Sequence, residues 1–98
     1  MQRCPFIAVY MMTNKSYGTL YTGVTANLPA RVQQHRAGEI DGFTKRYGLE
    51  RIVWFEQHES IILAIQREKS IKKYKRDWKI NLIERDNPHW HDLSGMLF

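Results

Sequence analysis

The chemistry available to this chain rests on a few residues whose types and spacing are unusual for their surroundings. Arg31 and His35 are four residues apart, a spacing that sets two side chains one turn apart on the same side of a helix. A guanidinium can hold a phosphate through paired hydrogen bonds, and an imidazole can move a proton near neutral pH. Tyr10 and Tyr21 stand in successive β-rich segments, and Gly23 follows within the second. A glycine inside a strand marks a bulge or a close backbone approach. Glu68 falls on the inward side of an apolar helical stripe formed by Ile61, Ala64, Ile65, Ile71 and Tyr74. An unpaired carboxylate there costs on the order of several kcal/mol, so a cation, a metal or a hydrogen-bond donor should face it. Each feature alone has an ordinary explanation: a structural salt bridge, a solvated helix face, tyrosines that are good strand formers. Together they suit phosphodiester hydrolysis, with a carboxylate for a metal, an arginine for phosphate, and tyrosine and histidine as proton handlers.

The elements that must position these residues can be read from the same sequence. Phe6–Met12 is a short apolar, β-rich run, followed by the turn formers Asn14, Lys15, Ser16 and Gly18. With Thr19–Thr25 it predicts a β-hairpin. Asn27 reads as a helix N-cap with Pro29 in the first turn, Leu28, Val32 and His35 recur at helical spacing, and Gly38 ends the helix. Glu39–Gly48 reads as a loop and Leu49–Glu56 as a third strand. The strongest helix spans Glu59 to about Tyr74, and a final helix spans about Arg76–Arg85, stopped by Asn87-Pro88. The order β-β-α-β-α-α predicts a small α/β (α+β) domain, a three-stranded, mainly antiparallel sheet flanked by helices.

Length and composition bound the reading. A chain of 98 residues is expected to form one domain, with a core over about 6–86 and a C-terminal tail over 87–98. Its single cysteine, Cys4, excludes an internal disulfide framework and a thiolate zinc cluster. No apolar run approaches the roughly 20 residues of a membrane helix, and the start lacks the features of a signal peptide, so a cytoplasmic protein with no membrane partner is expected. The formal charge is +5, and eight of the fifteen Lys and Arg residues lie in the nineteen positions from Arg67 to Arg85. That concentration points to a polyanionic partner. Tyr74 and Trp78 are interleaved with it, a pattern that can grip phosphates and stack bases, or simply pack in the core. His89 and His91 carry little weight as a metal site without a third ligand.

The order Ala8-Val9-Tyr10, then Tyr21-Thr22-Gly23, Arg31, His35 and Glu68 resembles the GIY-YIG nuclease superfamily. The likeness is to its small single-domain bacterial branch, related to the N-terminal nuclease domain of a bacterial excinuclease. It spans roughly Phe6 to Leu93, including GFTKRYG, REKSIKKYKRDWKINLIERDNP and the closing Trp90-His91-Asp92-Leu93. The resemblance implies that Tyr10 and Tyr21 flank the attacking water, with one acting as general base. It implies that Gly23 lets the substrate approach, that Arg31 contacts the scissile phosphate and that His35 assists proton transfer. Glu68 would be the single carboxylate that binds Mg²⁺ or Mn²⁺. Ala8 and Thr22 replace the glycine and isoleucine of the family name, and Val24 stands where some members carry a lysine. Asn81 is the nearest candidate for the family's late asparagine, at a slightly longer spacing from Glu68.

The resulting expectation is a divalent-metal-dependent endonuclease acting on DNA, in repair or recombination. Lys72, Lys73, Lys75, Arg76 and Asn81 join Gly23 as substrate-binding residues. Two alternatives use the same fold: a non-catalytic nucleic-acid-binding module, and a subunit that works only with a protein partner or as a homodimer. The largely apolar end of the chain, Trp90, His91, Leu93, Met96, Leu97 and Phe98, is expected to dock back on the domain or meet such a partner.

Overall fold

The computed structural model of the chain describes residues 6–39 and 42–98; Cys4 and the first residues lie outside them. Ala8–Thr13 (β1) is buried along its whole length because it is the central strand of a three-stranded sheet. A strand covered on both faces loses the polar–apolar alternation, which explains the unbroken apolar run in the sequence. Leu20–Thr25 (β2) pairs antiparallel on one side of β1. Leu28–Arg36 (α1) follows, started by Asn27, whose side chain accepts from the Ala30 N–H at 3.3 Å. It is ended by Gly38 at φ 70, a left-handed conformation that glycine adopts without a Cβ penalty.

The segment expected to be a loop, Glu39–Gly48, contains a four-residue helix, Phe43–Arg46 (α2). Arg51–Gln57 (β3) then pairs antiparallel with the free side of β1. Ser60 caps Ile61–Lys72 (α3) by accepting from the Leu63 N–H at 3.2 Å, and Arg76–Asp86 (α4) completes the main elements. The strands and the longer helices thus follow the expected order β-β-α-β-α-α.

Helices cover both faces of the sheet. Val9 and Met11 face α3 and α4, packing with Val53, Trp54, Ala64, Ile71, Ile83 and Trp90. Ala8, Tyr10 and Met12 face α1, with Leu28, Val32, Leu49 and Ile52. A bulge reconciles β3 with this division: the register shifts between Met11, opposite Trp54, and Met12, opposite Ile52. The extra residue, Val53, joins Trp54 in the same core, as an inserted strand residue can.

The apolar stripe of α3 is narrower than its spacing predicts. Ala64 and Ile71 are fully buried, but Ile61 and Ile65 are 39% and 36% exposed. Ala64 and Ile71, two turns apart, define the line of contact with β1 and β2, and the other two flank it toward solvent.

The tail docks back, as expected. Asn87 is buried; its amide donates to the Val53 carbonyl at 3.0 Å and the His91 carbonyl at 2.9 Å, and its oxygen accepts from the His91 N–H at 3.1 Å. Buried Trp90 donates to Glu84 at 2.9 Å. A 3₁₀ turn, Leu93–Met96, is capped by Asp92 and tied to α1 through Arg36 and Ser94, 3.1 Å apart. Met96 and Phe98 remain exposed.

Candidate active site

Antiparallel pairing brings the two tyrosines together. Tyr10 on the central strand and Tyr21 on the edge strand share the α1 face of the sheet, with ring centroids 6.2 Å apart. Gly23 is the register partner of Tyr10. A Cβ there would lie 2.7 Å from Tyr10 Cζ and Oη and 2.8 Å from Tyr21 Cε2. Glycine is therefore required by the room the two rings occupy, since its backbone is that of an ordinary strand residue.

The first helix closes the cluster. His35 Nε2 lies 2.9 Å from Tyr10 Oη in a hydrogen bond, and its ring centroid is 5.8 Å from those of Tyr10 and Tyr21. Burial, aided by the charge of Arg31 one turn away, lowers the His35 pKa to about 4, so the imidazole is neutral at pH 7. Burial also raises the Tyr10 hydroxyl well above the ordinary tyrosine value; Tyr21 adds to the effect and Arg31 opposes it. Tyr10 therefore keeps its proton across the physiological range. Tyr21 is only half-buried and lines an open cavity of about 340 Å³ with Leu20, Thr22, Lys72 and Lys79.

From the other side of the sheet, α3 contributes Glu68, whose side chain is 13% exposed and whose carboxylate lies 3.5 Å from Lys72 Nζ. The inward carboxylate thus has the cation that its position demanded, and its charge is close enough to raise the Tyr10 pKa. No group of three His, Cys, Asp or Glu side chains able to hold a metal occurs among the described residues. A lone carboxylate whose cation neighbour, Lys72, lines the Tyr21 cavity nonetheless fits a hard divalent cation. Mg²⁺ is commonly held by one or two carboxylates, with water and substrate phosphate completing its shell.

The structure thus brings Tyr10, Tyr21, Gly23 and His35 into contact, with Arg31 and Glu68 near enough for their charges to act on Tyr10. The basic residues divide. Lys72 borders the Tyr21 cavity, and Lys73 and Lys75 are exposed in the connection between α3 and α4. The Arg76 guanidinium donates to the Tyr17 and Gly18 carbonyls, each at 2.7 Å, and holds the hairpin turn. Asn81 lines a neighbouring cavity with Tyr74, Trp78, Leu82 and Arg85, not the one beside Tyr21. Leu20, Thr22 and Lys79 of the Tyr21 cavity were not among the expected site residues, although Lys79 belongs to the basic segment. Lys79 is on a different helix from Lys72, so no single helical period links them. Thr22, whose buried Oγ1 has no hydrogen-bond partner among the described residues, reads as an ordinary strand former.

The structure is a small α+β domain with a tyrosine pair on a hairpin, an Arg/His helix and a lone glutamate on a later helix, the arrangement expected of the GIY-YIG nuclease class. A family model of the GIY-YIG catalytic domain matches residues 6–81, and the chain belongs to the GIY-YIG family. It is 38% identical over 69 residues to the UPF0213 proteins of Staphylococcus aureus strains Mu3 and Mu50, covering 70% of this chain and 84% of each relative. The solution NMR structure of the UPF0213 protein BH0048 from Bacillus halodurans has the same fold, with a TM-score of 0.55 at 24% identity, covering 88% of this chain and 90% of that one. No helix among the described residues is long and apolar enough to cross a membrane.

Proposed function

We propose that the chain is a divalent-metal-dependent endonuclease that hydrolyses phosphodiester bonds in DNA, serving repair or recombination in the bacterial cytoplasm. The observation that carries this reading is the cluster of Tyr10, Tyr21 and His35, with Gly23 against the two tyrosine rings, the charges of Arg31 and Glu68 acting on Tyr10, and a cavity at Tyr21 bordered by two lysines. In this reading Arg31 binds the scissile phosphate and neutralises part of its charge. Tyr21, at the cavity wall, takes the proton of the attacking water. Lys72 and Lys79 border the same opening and present positive charge to the substrate there. Tyr10, protonated and bonded to neutral His35, holds the water and its neighbour in place. Glu68 is the residue to hold Mg²⁺ or Mn²⁺, which when bound polarises the phosphate and stabilises the leaving oxygen. Lys72, Lys73 and Lys75 serve the DNA backbone.

The test is a cleavage assay on plasmid, single-stranded, branched and RNA substrates with Mg²⁺ or Mn²⁺, run with chelator and with Tyr21→Phe and Glu68→Gln. Both variants are expected to fold, to bind DNA and to lose cleavage by roughly 10²-fold or more. Full activity of Tyr21→Phe overturns the base assignment, and cleavage that survives both chelator and Glu68→Gln overturns the metal assignment. Binding without cleavage on every substrate would instead identify a nucleic-acid-binding module.

A further inference from the structure

The three tryptophans have different fates. Trp54 and Trp90 are buried, whereas Trp78, in the first turn of α4, is 55% exposed. Trp78 is held in a fixed posture. Its ring meets that of Tyr74 edge to face at 5.6 Å and 80°. The Tyr74 hydroxyl accepts from Arg67 Nη1 at 3.2 Å, and Arg67 Nε in turn donates to Glu56 of β3 at 3.0 Å. A chain of contacts from the sheet thus stiffens an aromatic platform at the surface. Asn81, Leu82 and Arg85 complete an open cavity of about 370 Å³ with Tyr74 and Trp78. The positions 78, 81, 82 and 85 form one stripe of the helix.

We infer that this cavity is a subsite for an unpaired nucleobase. An indole face supplies stacking, an amide supplies a donor and an acceptor for a base edge, and a guanidinium supplies a phosphate contact. Arg85 makes an exposed contact with Asp86 at 3.6 Å, of the kind that water screens and a phosphate can displace. Charge complementarity selects nucleic acid as the occupant. Lys79 directly follows Trp78 and Lys75 precedes it by three residues, with Arg76 and Asp77 between, and Lys79 borders the Tyr21 cavity. A strand leaving the active centre over Lys72 and Lys79 therefore meets Trp78 next. A blunt duplex offers no free base face along its length, so the ligand is single-stranded: an overhang, a flap or an unpaired end. This subsite rests on the proposed function only in taking nucleic acid as the ligand.

Trp78 also provides the readout, because the other two tryptophans are buried. Tryptophan fluorescence is titrated in chelator, so that nothing is cleaved, with a single-stranded oligothymidylate, an abasic strand of equal length and charge, and a blunt duplex. The base-bearing strand is expected to quench the emission and to bind roughly tenfold more tightly than the abasic one. Binding by the variants, which lack that reporter, is read from the fluorescence anisotropy of end-labelled strands: Trp78→Ala is expected to abolish the difference and to change duplex affinity less than about twofold, and Trp78→Phe, which retains a ring, to keep most of it. Equal binding of base-bearing and abasic strands by the wild type, or unchanged base preference in Trp78→Ala, overturns the subsite. Cleavage of duplex DNA by Trp78→Ala is read separately. Unaltered base preference with cleavage intact refutes the subsite alone, and loss of base preference in a chain that never cleaves refutes the nuclease reading alone.

Discussion

Replacing Gly23 with alanine adds one methyl group at the point where the two site tyrosines leave no space. The new Cβ would sit 2.7 Å from Tyr10 Cζ and Oη and 2.8 Å from Tyr21 Cε2, so reaching 3.4 Å needs a movement of about 0.7 Å. The Tyr10 ring cannot give way freely. It is buried in the α1-side core and its hydroxyl is held by His35 at 2.9 Å. Overpacking of this kind costs about 1–3 kcal/mol. In a domain of this size each kcal/mol lowers Tm by roughly 4–8 °C, so a loss of about 5–20 °C is expected in a thermal melt followed by circular dichroism. Whatever ring moves, the tyrosine pair is displaced from its place in the proposed site, and misplacement approaching 1 Å can cost on the order of 10² in rate. Gly38→Ala is the control. Its φ of +70 makes alanine costly there, but the nearest atom to a new Cβ is Lys45 Cε at 4.0 Å. That variant should melt lower by about 1 kcal/mol or slightly more and cleave at the wild-type rate. If Gly23→Ala melts within about 2 °C of wild type and retains its full rate, the crowding argument is wrong.

Two further perturbations test other parts of the structure. His35, lowered to about 4 in the fold, takes up its proton near 6.5 when unfolded. Its contribution to stability is therefore complete above pH 6.5 and is lost as pH falls toward 4, by roughly 3 kcal/mol at most. Urea titrations at pH 7 and 4.5 should show that loss in the wild type and a smaller one in His35→Gln; identical losses would contradict the burial of a neutral imidazole. Asn87→Ala removes the amide that joins β3 to the tail through three hydrogen bonds, and should cost about 2–4 kcal/mol. A melt indistinguishable from wild type would show that the tail docks without it.

Strand and helix identities were legible because local signals and global fold agree. The hairpin, the Asn27 cap and the Gly38 stop all lie where local chemistry put them. The candidate site residues stood out for a different reason. Glu68 broke an apolar stripe and Gly23 broke a strand, and sequence rules fail most visibly where a site overrides them. What local pattern could not supply was long-range partnership. The short helix α2 lacks a periodic stretch long enough to read. The exposure of Ile61 and Ile65 depends on how α3 lies across β1 and β2, and no spacing within the helix encodes that. Tyr17 donates to Glu84, which also accepts from Trp90. That junction spans the hairpin turn, α4 and the tail, and only the tertiary fold creates it.

The basic segment shows how a linear charge count misleads. Eight cations between Arg67 and Arg85 suggest one uniform face, but three of them stand against carboxylates: Arg67 with Glu56, Lys72 with Glu68 and Arg85 with Asp86. Their long-range field is correspondingly reduced, because an adjacent opposite charge cancels most of it beyond a Debye length of about 8–10 Å. Arg76 differs again. Its two acceptors are carbonyls without net charge, so it clasps the hairpin turn and still contributes a full positive charge to its surroundings. One residue thereby positions the strands that carry Tyr10 and Tyr21 and helps to attract the anion they would act on. Lys79 does the second task alone, at the wall of the Tyr21 cavity. The positive character of the segment is thus partly neutralised inside the fold, and the portion facing the site comes from residues that α3, α4 and the turn bring together.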